Sequence, residues 1–514
     1  MRIIRACREM GISPVAVYSE CDRTALHVRM ADDAVAIGGS APSQSYLRID
    51  RIVDAAKTAG ADGVHPGYGF LAENEAFAVA CRGAGLTFIG PTPAAIALMG
   101  NKTAAREAAV RAGAPVVPGS GQALGAGVPD SEIATLADQV GYPVMVKAVA
   151  GGGGKGMRVV SERAELASAV RAARSEAASA FGDPAVYLER RLARPRHIEV
   201  QLLADQQGTV IPFVERECSI QRRHQKVIEE TPSAVVSQEL RARMTATAAA
   251  VARSVGYTNA GTIEFLLDDD GSFYFLEMNT RLQVEHPITE MVTGLDLVQW
   301  QIRIARGERL GIDPERAVTP RGHAVECRVY AEDPDAGFMP SPGRITGLRR
   351  AAGPGIREDS AAEAGSDVPI HYDPMIAKLI AWAEDRPRAI DRMRRALDEY
   401  EIRGIRTSVP FFRWVLRQAD FAAAQFHTAW LDELLHIRAG KPFSTVNPSA
   451  EEVAALAVAM HVAETGAGSA ARNPAYSAAR NLAYSAVGNP AEQAERDHAE
   501  GAWKRRAREE NLRA

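Results

Sequence analysis

Two glutamates on a predicted β-hairpin are the residues of this sequence best suited to hold a metal ion. Residues 262–267 and 273–278 are rich in β-branched and aromatic residues, and an Asp-Asp-Asp-Gly run lies between them. This pattern predicts two strands joined by a turn. Glu264 and Glu277, with the nearby amide of Asn279, form a ligand set suited to Mg²⁺, which combines carboxylates with substrate phosphates.

The predicted register brings these two carboxylates face to face. A four-residue loop, 269–272, would place Phe265 opposite Leu276 and Glu264 opposite Glu277. Side chains directly opposed on neighbouring strands have Cβ atoms about 5 Å apart. Two like charges repel at that separation, so we expect a cation between them.

Polar residues continue beyond the hairpin at every second position. They run acid, amide, cation, amide, acid: Glu277, Asn279, Arg281, Gln283 and Glu285. An extended chain would put all five on one face, and His286 before Pro287 is expected to stay extended. The alternative is a solvated strand face, but the mixture of chemical types favours a binding site.

Composition excludes several classes of protein. A chain of 514 residues predicts roughly two to four domains with a large core. Its net charge of −4 does not point to nucleic acid or to a membrane surface, and no apolar run reaches the roughly 20 residues of a bilayer span. Neither a signal peptide nor a transit peptide is visible.

The cysteines argue against a disulfide framework or a zinc site. All five are scattered without a Cys-x-x-Cys pair, and we expect each to be a small buried apolar residue: Cys7, Cys21, Cys81, Cys218 and Cys327. This usage fits a reducing, cytoplasmic environment.

Three further stretches could bind anions. Lys147 lies in an otherwise apolar strand and needs an anionic partner unless it reaches solvent at an edge. The glycine run at 151–156 follows it, and its backbone N–H groups could close over phosphates. The polar run 217–230 suits a phosphate–carboxylate site, with a solvated loop as the alternative.

The turn 65–70 lies where open α/β sheets bind ligands, although it could be only a rigid Pro/Gly turn.

Six motifs give the chain a family resemblance. They are HPGYGFLAEN at 65–74, MGNK at 99–102, VKAVAGGGGKGM at 146–157, RECSIQRRHQKVIEE at 216–230, FLEMNTRLQVEHPITE at 275–290 and GHAVECRVYAEDP at 322–334. Over residues 1–437 the chain resembles the biotin carboxylase subunit of biotin-dependent (acyl-CoA or acetyl-CoA) carboxylases, within the ATP-grasp superfamily. Each motif is characteristic, and together they are close to diagnostic.

The resemblance implies an α/β and α+β fold in three domains. A Rossmann-like N-terminal domain, 1–101, would lack its first strand, and this truncation should leave apolar edges in the sheet. An ATP-grasp domain, 102–312, would carry a mobile glycine-rich lid at about 119–192. The C-terminal domain of the family would cover 321–437. Residues 438–514 are of low complexity, which predicts a disordered tail.

The resemblance also implies a set of site residues. ATP would be bound by Lys102, Lys147, Gly151, Gly152, Gly153, Gly154, Lys155, Gly156, Met157, Glu189, Leu192, His197, Gln221, His224 and Leu266. Two Mg²⁺ or Mn²⁺ ions would be bound by Glu264, Glu277 and Asn279. Bicarbonate would be bound by Lys226, Arg281, Gln283, Val284 and Glu285. Biotin would be bound by Tyr68, Gly69 and Arg328.

By the same resemblance, the reaction is the first half of an acyl-CoA carboxylase cycle, as in fatty acid biosynthesis. Glu285 would be the base, and Lys226, Arg281 and Arg328 would complete the catalytic set. No Ala-Met-Lys-Met biotinylation motif occurs in this sequence, so the biotin carboxyl carrier protein and the carboxyltransferase would be separate chains. A homodimer is expected. The alternatives are another ATP-grasp ligase, such as one forming carbamoyl phosphate, and a catalytically impaired chain that serves only as a binding partner.

Overall fold

The coordinates, a computed structural model, describe residues 1–121, 123–125, 127–149, 157–443 and 456. The predicted glycine-rich flap at 151–156 lies outside these residues, as does the predicted disordered tail apart from 438–443 and 456. Residues Met1–Phe443 form one compact unit. Within the described chain no helix is both long and apolar enough to cross a bilayer.

The first hundred residues alternate short helices and strands, as predicted. Their elements are α1 (Arg2–Glu9), β1 (Val15–Ser19), α2 (Leu26–Met30), β2 (Asp33–Gly38), α3 (Ile49–Thr58), β3 (Gly63–Val64), α4 (Glu75–Gly83), β4 (Thr87–Phe88) and α5 (Pro93–Gly100). Strand β1 pairs in parallel with β2, and β3 pairs in parallel with β4. A cavity of about 920 Å³ is lined by residues of both β1 and β3.

The middle of the chain supplies most of the strands. Its elements are α6 (Lys102–Arg111), α7 (Asp130–Val140), β5 (Val144–Ala148), β6 (Arg158–Val160), α8 (Arg163–Phe181), β7 (Val186–Arg190), β8 (Arg196–Ala204), β9 (Val210–Pro212), β10 (Arg216–Arg222), β11 (Gln225–Thr231), α9 (Gln238–Ser254), β12 (Asn259–Leu267), β13 (Phe273–Asn279), α10 (His286–Thr293), α11 (Leu297–Ala305) and α12 (Pro314–Val318).

The last described segment mixes strands and helices. Its elements are β14 (His323–Tyr330), β15 (Glu332–Asp333), β16 (Met339–Pro340), β17 (Gly343–Arg344), β18 (Gly347–Arg349), β19 (Ile356–Ser360), β20 (Asp367–Val368), β21 (Met375–Ala383), α13 (Arg386–Glu399), β22 (Glu401–Arg403), α14 (Val409–Val415), α15 (Ala419–Ala422) and α16 (Trp430–Arg438).

A nine-stranded antiparallel sheet joins the middle and last segments. Its order is β13-β12-β8-β10-β11-β14-β21-β19, with β9 paired to β8 at the side. The sheet therefore continues across the predicted boundary between the ATP-grasp and C-terminal domains. A separate antiparallel sheet, β6-β5-β7, lies in the segment predicted as the lid. We call it the lid sheet.

Helix α9 covers one face of the nine-stranded sheet. Ser237 caps it by accepting a hydrogen bond from the N–H of Leu240 at 3.1 Å, a favoured arrangement at a helix start. The buried side chains of Met244 and Ala248 belong to one core with Ile198 of β8 and Ile263 of β12. This packing fixes the backbone from which the polar side chains of the site project on the other face.

The hairpin register differs from the prediction near the turn. Leu267 pairs with Phe273, so the connection has five residues, and Phe265 pairs with Phe275 rather than Leu276. The connection is thus one residue longer than predicted, and within it the N–H of Gly271, at φ +81°, donates to the carbonyl of Asp268 at 3.1 Å. An irregularity next to Glu264 then shifts the register by one residue, and the predicted pairing of Glu264 with Glu277 is confirmed.

The predicted extended arm after the hairpin is wrong beyond Asn279, where β13 ends. Glu285 has φ −82° and ψ 10° and precedes α10, which begins at His286. Pro287 explains the difference, because proline is favoured in the first turn of a helix, where no N–H is needed. The polar side chains are therefore brought together by a bend and not by a strand.

Four of the five cysteines are buried, as expected, but Cys21 is exposed. It lies in a short 3₁₀ helix, Glu20–Asp22, directly after β1. Its Sγ is 3.4 Å from the hydroxyl of Tyr372. The prediction failed because this position follows the strand instead of belonging to it.

Candidate active site

A cavity of about 550 Å³ is lined by residues of both the nine-stranded sheet and the lid sheet. It gathers most of the site residues predicted from the sequence. These are Lys102, Lys147, Met157, Glu189, His197, Gln221, His224, Lys226, Glu264, Leu266, Glu277, Asn279, Arg281, Gln283, Val284, Glu285 and Arg328. The five polar residues predicted at every second position from 277 to 285 are all among them, although the backbone that carries them is bent.

Lys226 on β11 is the central cation of this cavity. Its Nζ donates to Glu199 at 2.6 Å, to Glu264 at 2.8 Å and to Glu285 at 2.8 Å. Burial opposes the ammonium charge, but the three carboxylates raise the pKa of Lys226 well above its usual range. The lysine is therefore charged and holds three acids from three different segments in one place.

Glu285 is held between two cations. One carboxylate oxygen accepts from Lys226, and the other accepts from Arg328 on β14 at 3.1 Å. Burial disfavours its charge, yet Lys226, Arg328 and Arg216 bring the pKa of Glu285 well below its ordinary value. The carboxylate is therefore ionised at neutral pH, as a proton acceptor must be.

The facing pair Glu264 and Glu277 is unequally compensated. Glu264 accepts from Asn279 at 2.9 Å and from Gln283 at 3.1 Å, besides Lys226. Burial opposes its charge, but Lys226 and His197, whose Nε2 is 3.0 Å away, lower the pKa of Glu264. The pKa of Glu277 is instead raised by burial and by Glu264.

Glu277 accepts no hydrogen bond from the residues that the structure describes. A divalent cation between the two carboxylates would relieve this imbalance, so the residues present fit the Mg²⁺ that the sequence predicts. His197, Glu199 and Glu264 also bring ligand atoms within 4.8 Å of one another. We do not assign a metal there, because Glu199 is already held by cations of the protein.

Two residues that the sequence analysis did not single out, Glu199 and Arg216, hold Lys226 in place. Glu199 on β8 accepts from Lys226 and also from the Nε of Arg216 at 2.5 Å. Arg216 is fully buried and donates further to Gln201 and Thr289, each at 3.0 Å. The alternation of residues 196–201 is the only signal that could have indicated Glu199.

Arg281 is oriented by contacts on every side of its guanidinium. It donates to Gln283 at 2.8 Å and to Asn279 at 3.2 Å. Its Nε donates at 2.8 Å to Glu73, which also accepts from the backbone N–H of Thr280 at 2.8 Å. Glu73 was not predicted as a site residue, although it belongs to the motif at 65–74.

Glu189 on β7 does not face the cavity as a free carboxylate. It forms ion pairs with Lys147 on β5 and, at 3.1 Å, with Arg106 on α6. The predicted anionic partner of Lys147 is thus present within the protein itself. The side chain of Lys147 is 15% exposed, so the alternative of a solvent-reaching lysine is wrong.

Three predicted residues lie apart from the cavity lining. Leu192 is buried, and Gly69 follows Tyr68 in the turn after β3. The ring of Tyr68 lies 5.5 Å from the Nζ of Lys378, which donates to the carbonyl of Val284 at 2.5 Å. Tyr68 is therefore close to the edge of the site. The glycines and lysine predicted at 151–156 lie outside the described residues.

An antiparallel sheet with a smaller lid sheet, enclosing lysines and paired acids, defines an ATP-grasp protein, and comparisons with known families agree. The ATP-binding domain of the carbamoyl-phosphate synthase L chain matches residues 101–313. The biotin carboxylase N-terminal domain matches residues 1–96, and the biotin carboxylase C-terminal domain matches residues 326–433.

Similar proteins point to the same family. A pyruvate carboxylase subunit of Methanothermobacter thermautotrophicus is 54% identical over 84% of this chain and 87% of its own. The biotin carboxylase of a Nostoc species is 51% identical over 84% and 96%. The biotin carboxylase domain dimer of the Hydrogenobacter thermophilus 2-oxoglutarate carboxylase, in complex with MgADP, ADP and bicarbonate, superposes with a TM-score of 0.80. It is 46% identical and covers 87% of this chain and 96% of that one. The chain belongs to the biotin carboxylase family, whose members are ATP-dependent carboxylases.

Proposed function

We propose that this protein carboxylates biotin on a separate carrier protein, using ATP and bicarbonate and passing through carboxyphosphate. The observation that carries the proposal is the position of Glu285, ionised between Lys226 and Arg328 in the same cavity as the Glu264–Glu277 pair. A base, anion-binding cations and a candidate metal site are thus within one cavity. Their chemistry matches the two substrates.

Bicarbonate must lose a proton before it becomes a useful nucleophile. Glu285 takes that proton, while Lys226 and Arg281 hold the anion and turn its oxygen towards the γ-phosphorus of ATP. Attack forms the bond from the bicarbonate oxygen to phosphorus and breaks the bond to the leaving ADP. Lys102 and Lys147, which line the same cavity, would contact the phosphates.

The acids of the hairpin have a separate task. Glu264, Glu277 and Asn279 would hold Mg²⁺, or Mn²⁺, which neutralises charge on a phosphoryl group during transfer. Asn279 and Gln283 also fix the orientation of Glu264 by direct hydrogen bonds. The protein therefore presents a preformed carboxylate to the cation.

The second step transfers the carboxyl group. Carboxyphosphate breaks down to CO₂ and phosphate, and the phosphate removes the N1′ proton of biotin so that the nitrogen attacks CO₂. Arg328 stabilises the charge that develops on the ureido oxygen, a role worth about 3–4 kcal/mol per donor in well-studied oxyanion sites. Tyr68 and Gly69 lie on the turn proposed to border the biotin.

The partners follow from the substrate. We propose a biotin carboxyl carrier protein and a carboxyltransferase as separate chains, a homodimer of this chain, and an acyl-CoA as the final acceptor. Pyruvate is a second candidate acceptor, because one of the similar proteins is part of a pyruvate carboxylase. Co-purification with the biotinylated carrier and identification of the companion chain would distinguish the two acceptors.

A bicarbonate-dependent ATPase assay with and without free biotin tests the activity. We expect ATP cleavage that requires bicarbonate and is stimulated by biotin. No turnover would instead support a catalytically impaired binding partner. Bicarbonate-dependent turnover without stimulation by biotin would favour another ATP-grasp ligase.

A further inference from the structure

Two buried glutamates face each other in the nine-stranded sheet, beside the cavity. Glu229 on β11 is the direct register partner of Glu326 on β14. Both side chains are fully buried, with no exposed surface. Directly opposed residues place their Cβ atoms about 5 Å apart, so the two carboxyl groups leave the same face of the sheet from adjacent strands.

Most of the oxygen atoms in this pair have no partner. One oxygen of Glu229 accepts from the Nε of Arg328 at 2.5 Å. Its other oxygen and both oxygens of Glu326 accept no hydrogen bond from any residue the structure describes. An ionised carboxylate buried without hydrogen bonds is strongly disfavoured, and two at this separation are more so.

The charges around the pair do not compensate both acids. The groups that face it from its own strands, from β10, from β21 and from the segment before α10 are Lys226, Arg328, Cys218, Cys327, Lys378 and Glu285. Besides Arg328, the two cations that face the pair are engaged elsewhere: Lys226 with three other carboxylates, and Lys378 with the carbonyl of Val284. Among the described residues, only Arg328 bonds the pair directly.

We propose that Glu229 and Glu326 share one proton and form a buried acid pair that positions Arg328. The proton lies between the unpartnered oxygen of Glu229 and Glu326, so that the pair carries a single negative charge. That charge faces the Nε of Arg328, while the other side of the guanidinium bonds Glu285. Glu229 is then a positioning residue for the arginine, and Glu326 is the proton donor that makes its burial possible.

The direction of the pKa shifts agrees with this geometry. Burial raises the pKa of Glu229 to about 7, against the opposing effect of Arg328. Burial also raises the pKa of Glu326 well above its ordinary value. A glutamine at position 326 would mimic the protonated acid, because its amide can donate to Glu229 in the same place.

Infrared difference spectroscopy on the full chain tests the shared proton without relying on activity. The spectrum of the wild type minus that of Glu326→Gln at pH 7 should contain the carbonyl band of a protonated carboxylic acid, shifted to lower frequency in D₂O. Absence of that band would overturn the proposal.

Thermal unfolding of the same variant is a second test. Glu215→Gln is the matched control, since Glu215 is equally buried but accepts two hydrogen bonds from Arg241. We expect the melting temperature of Glu326→Gln to fall by less than that of Glu215→Gln, or to rise. A loss as large as that of the control, or failure to fold, would overturn the proposal that Glu326 is protonated.

The positioning role, which rests on the proposed function, has its own readout. Glu229→Gln weakens a charge-assisted hydrogen bond to Arg328, so the KM for free biotin should rise about tenfold while the KM for ATP stays unchanged. An equal rise in both KM values would contradict the positioning role. The infrared result would be unaffected if the proposed activity were wrong.

Discussion

Two groups of buried acids lie in the same sheet and are treated in opposite ways. Glu199, Glu264 and Glu285 converge on the ammonium of Lys226. Among the described residues, only the Nε of Arg328 donates a hydrogen bond to the Glu229–Glu326 pair. Burial penalises every one of these carboxylates, so what separates the two groups is the amount of cationic charge that each receives: Glu229 shares Arg328 with Glu285, and neither oxygen of Glu326 accepts a hydrogen bond from a described residue.

This contrast separates two uses of a glutamate. The pKa values of Glu264 and Glu285 are lowered because Lys226 overcomes burial. The pKa of Glu229 is raised because the effect of burial exceeds the opposing effect of Arg328. Acids of the first kind are ionised and can accept a proton or a metal ion, whereas the second pair, in our proposal, shares one proton and positions a neighbouring arginine. Substitutions of individual acids and cations test this distinction, beginning with the largest effect.

Lys226→Met should leave the first group of acids as poorly compensated by cations as the Glu229–Glu326 pair. Three buried carboxylates would lose their common cation, and breaking a buried ion pair costs about 3–5 kcal/mol. We expect bicarbonate-dependent ATP cleavage to disappear and the free energy of unfolding to fall by about that amount. Activity assays and urea unfolding measure both.

A second substitution checks the cause of that loss. Glu264→Gln in the Lys226→Met background removes a charge that has lost its lysine and keeps only the amides of Asn279 and Gln283 and the imidazole of His197, so part of the lost stability should return. If the double variant is no more stable than the single one, repulsion among the acids is not the reason for the loss.

Glu285→Gln should abolish the proton-accepting group while keeping its shape. General bases contribute about 10²–10⁴-fold, so biotin carboxylation should fall by at least the lower figure. ATP should still bind, as measured by nucleotide titration. Carboxylation close to the wild-type rate would rule out Glu285 as the base.

Glu73→Gln should have a smaller and more selective effect. Glu73 accepts from the Nε of Arg281 with one oxygen and from the N–H of Thr280 with the other. Glutamine is neutral and has a single acceptor oxygen, so the charge-assisted bond to Arg281 is lost. Such a bond is worth about 1.5–3 kcal/mol, and we expect the KM for bicarbonate to rise about tenfold with the KM for ATP unchanged. Glu75→Gln, two residues away at the exposed start of α4, is the matched control. Equal effects of the two changes would exclude a specific role for Glu73.

The smallest effect expected is a pH dependence of stability. Because the folded-state pKa of Glu285 lies well below its usual value of 4.5, its ionised form stabilises the fold above that value, and this contribution is lost as pH falls through the folded pKa. The stability deficit of Glu285→Gln should therefore be full at pH 7 and should shrink below about pH 4.5. Urea unfolding at both ends of this range provides the measurement, and a constant deficit would contradict the ionised state of Glu285.

The sequence predicted the central hairpin well because local patterning determines it. Strand-forming residues around an acidic turn were enough to pair Glu264 with Glu277. The loop length was wrong by one residue, since the bond from Gly271 to Asp268 depends on turn geometry that composition does not encode. The arm was predicted as extended although Pro287 also suits the start of a helix.

Long-range partners were beyond local patterns. Glu73 reaches Arg281 across 208 positions, and Glu199 reaches Lys226 across 27. Neither carboxylate differs from a surface glutamate when it is read in its own segment. The same limit hid the pairing of Glu229 with Glu326, since both lie inside motifs whose other residues drew attention.

The continuity of the nine-stranded sheet has a mechanical consequence. Lys226 and Arg328 project from adjacent hydrogen-bonded strands, so no hinge lies between the cation that holds three acids and the arginine assigned to biotin. Hydrogen bonds between the two strands fix the distance between Lys226 and Arg328, so this distance should stay constant through turnover. The lid sheet, which carries Lys147 and Glu189, has no ladder of hydrogen bonds to the nine-stranded sheet in the part of the chain that the structure describes, so we expect it to move independently of that sheet.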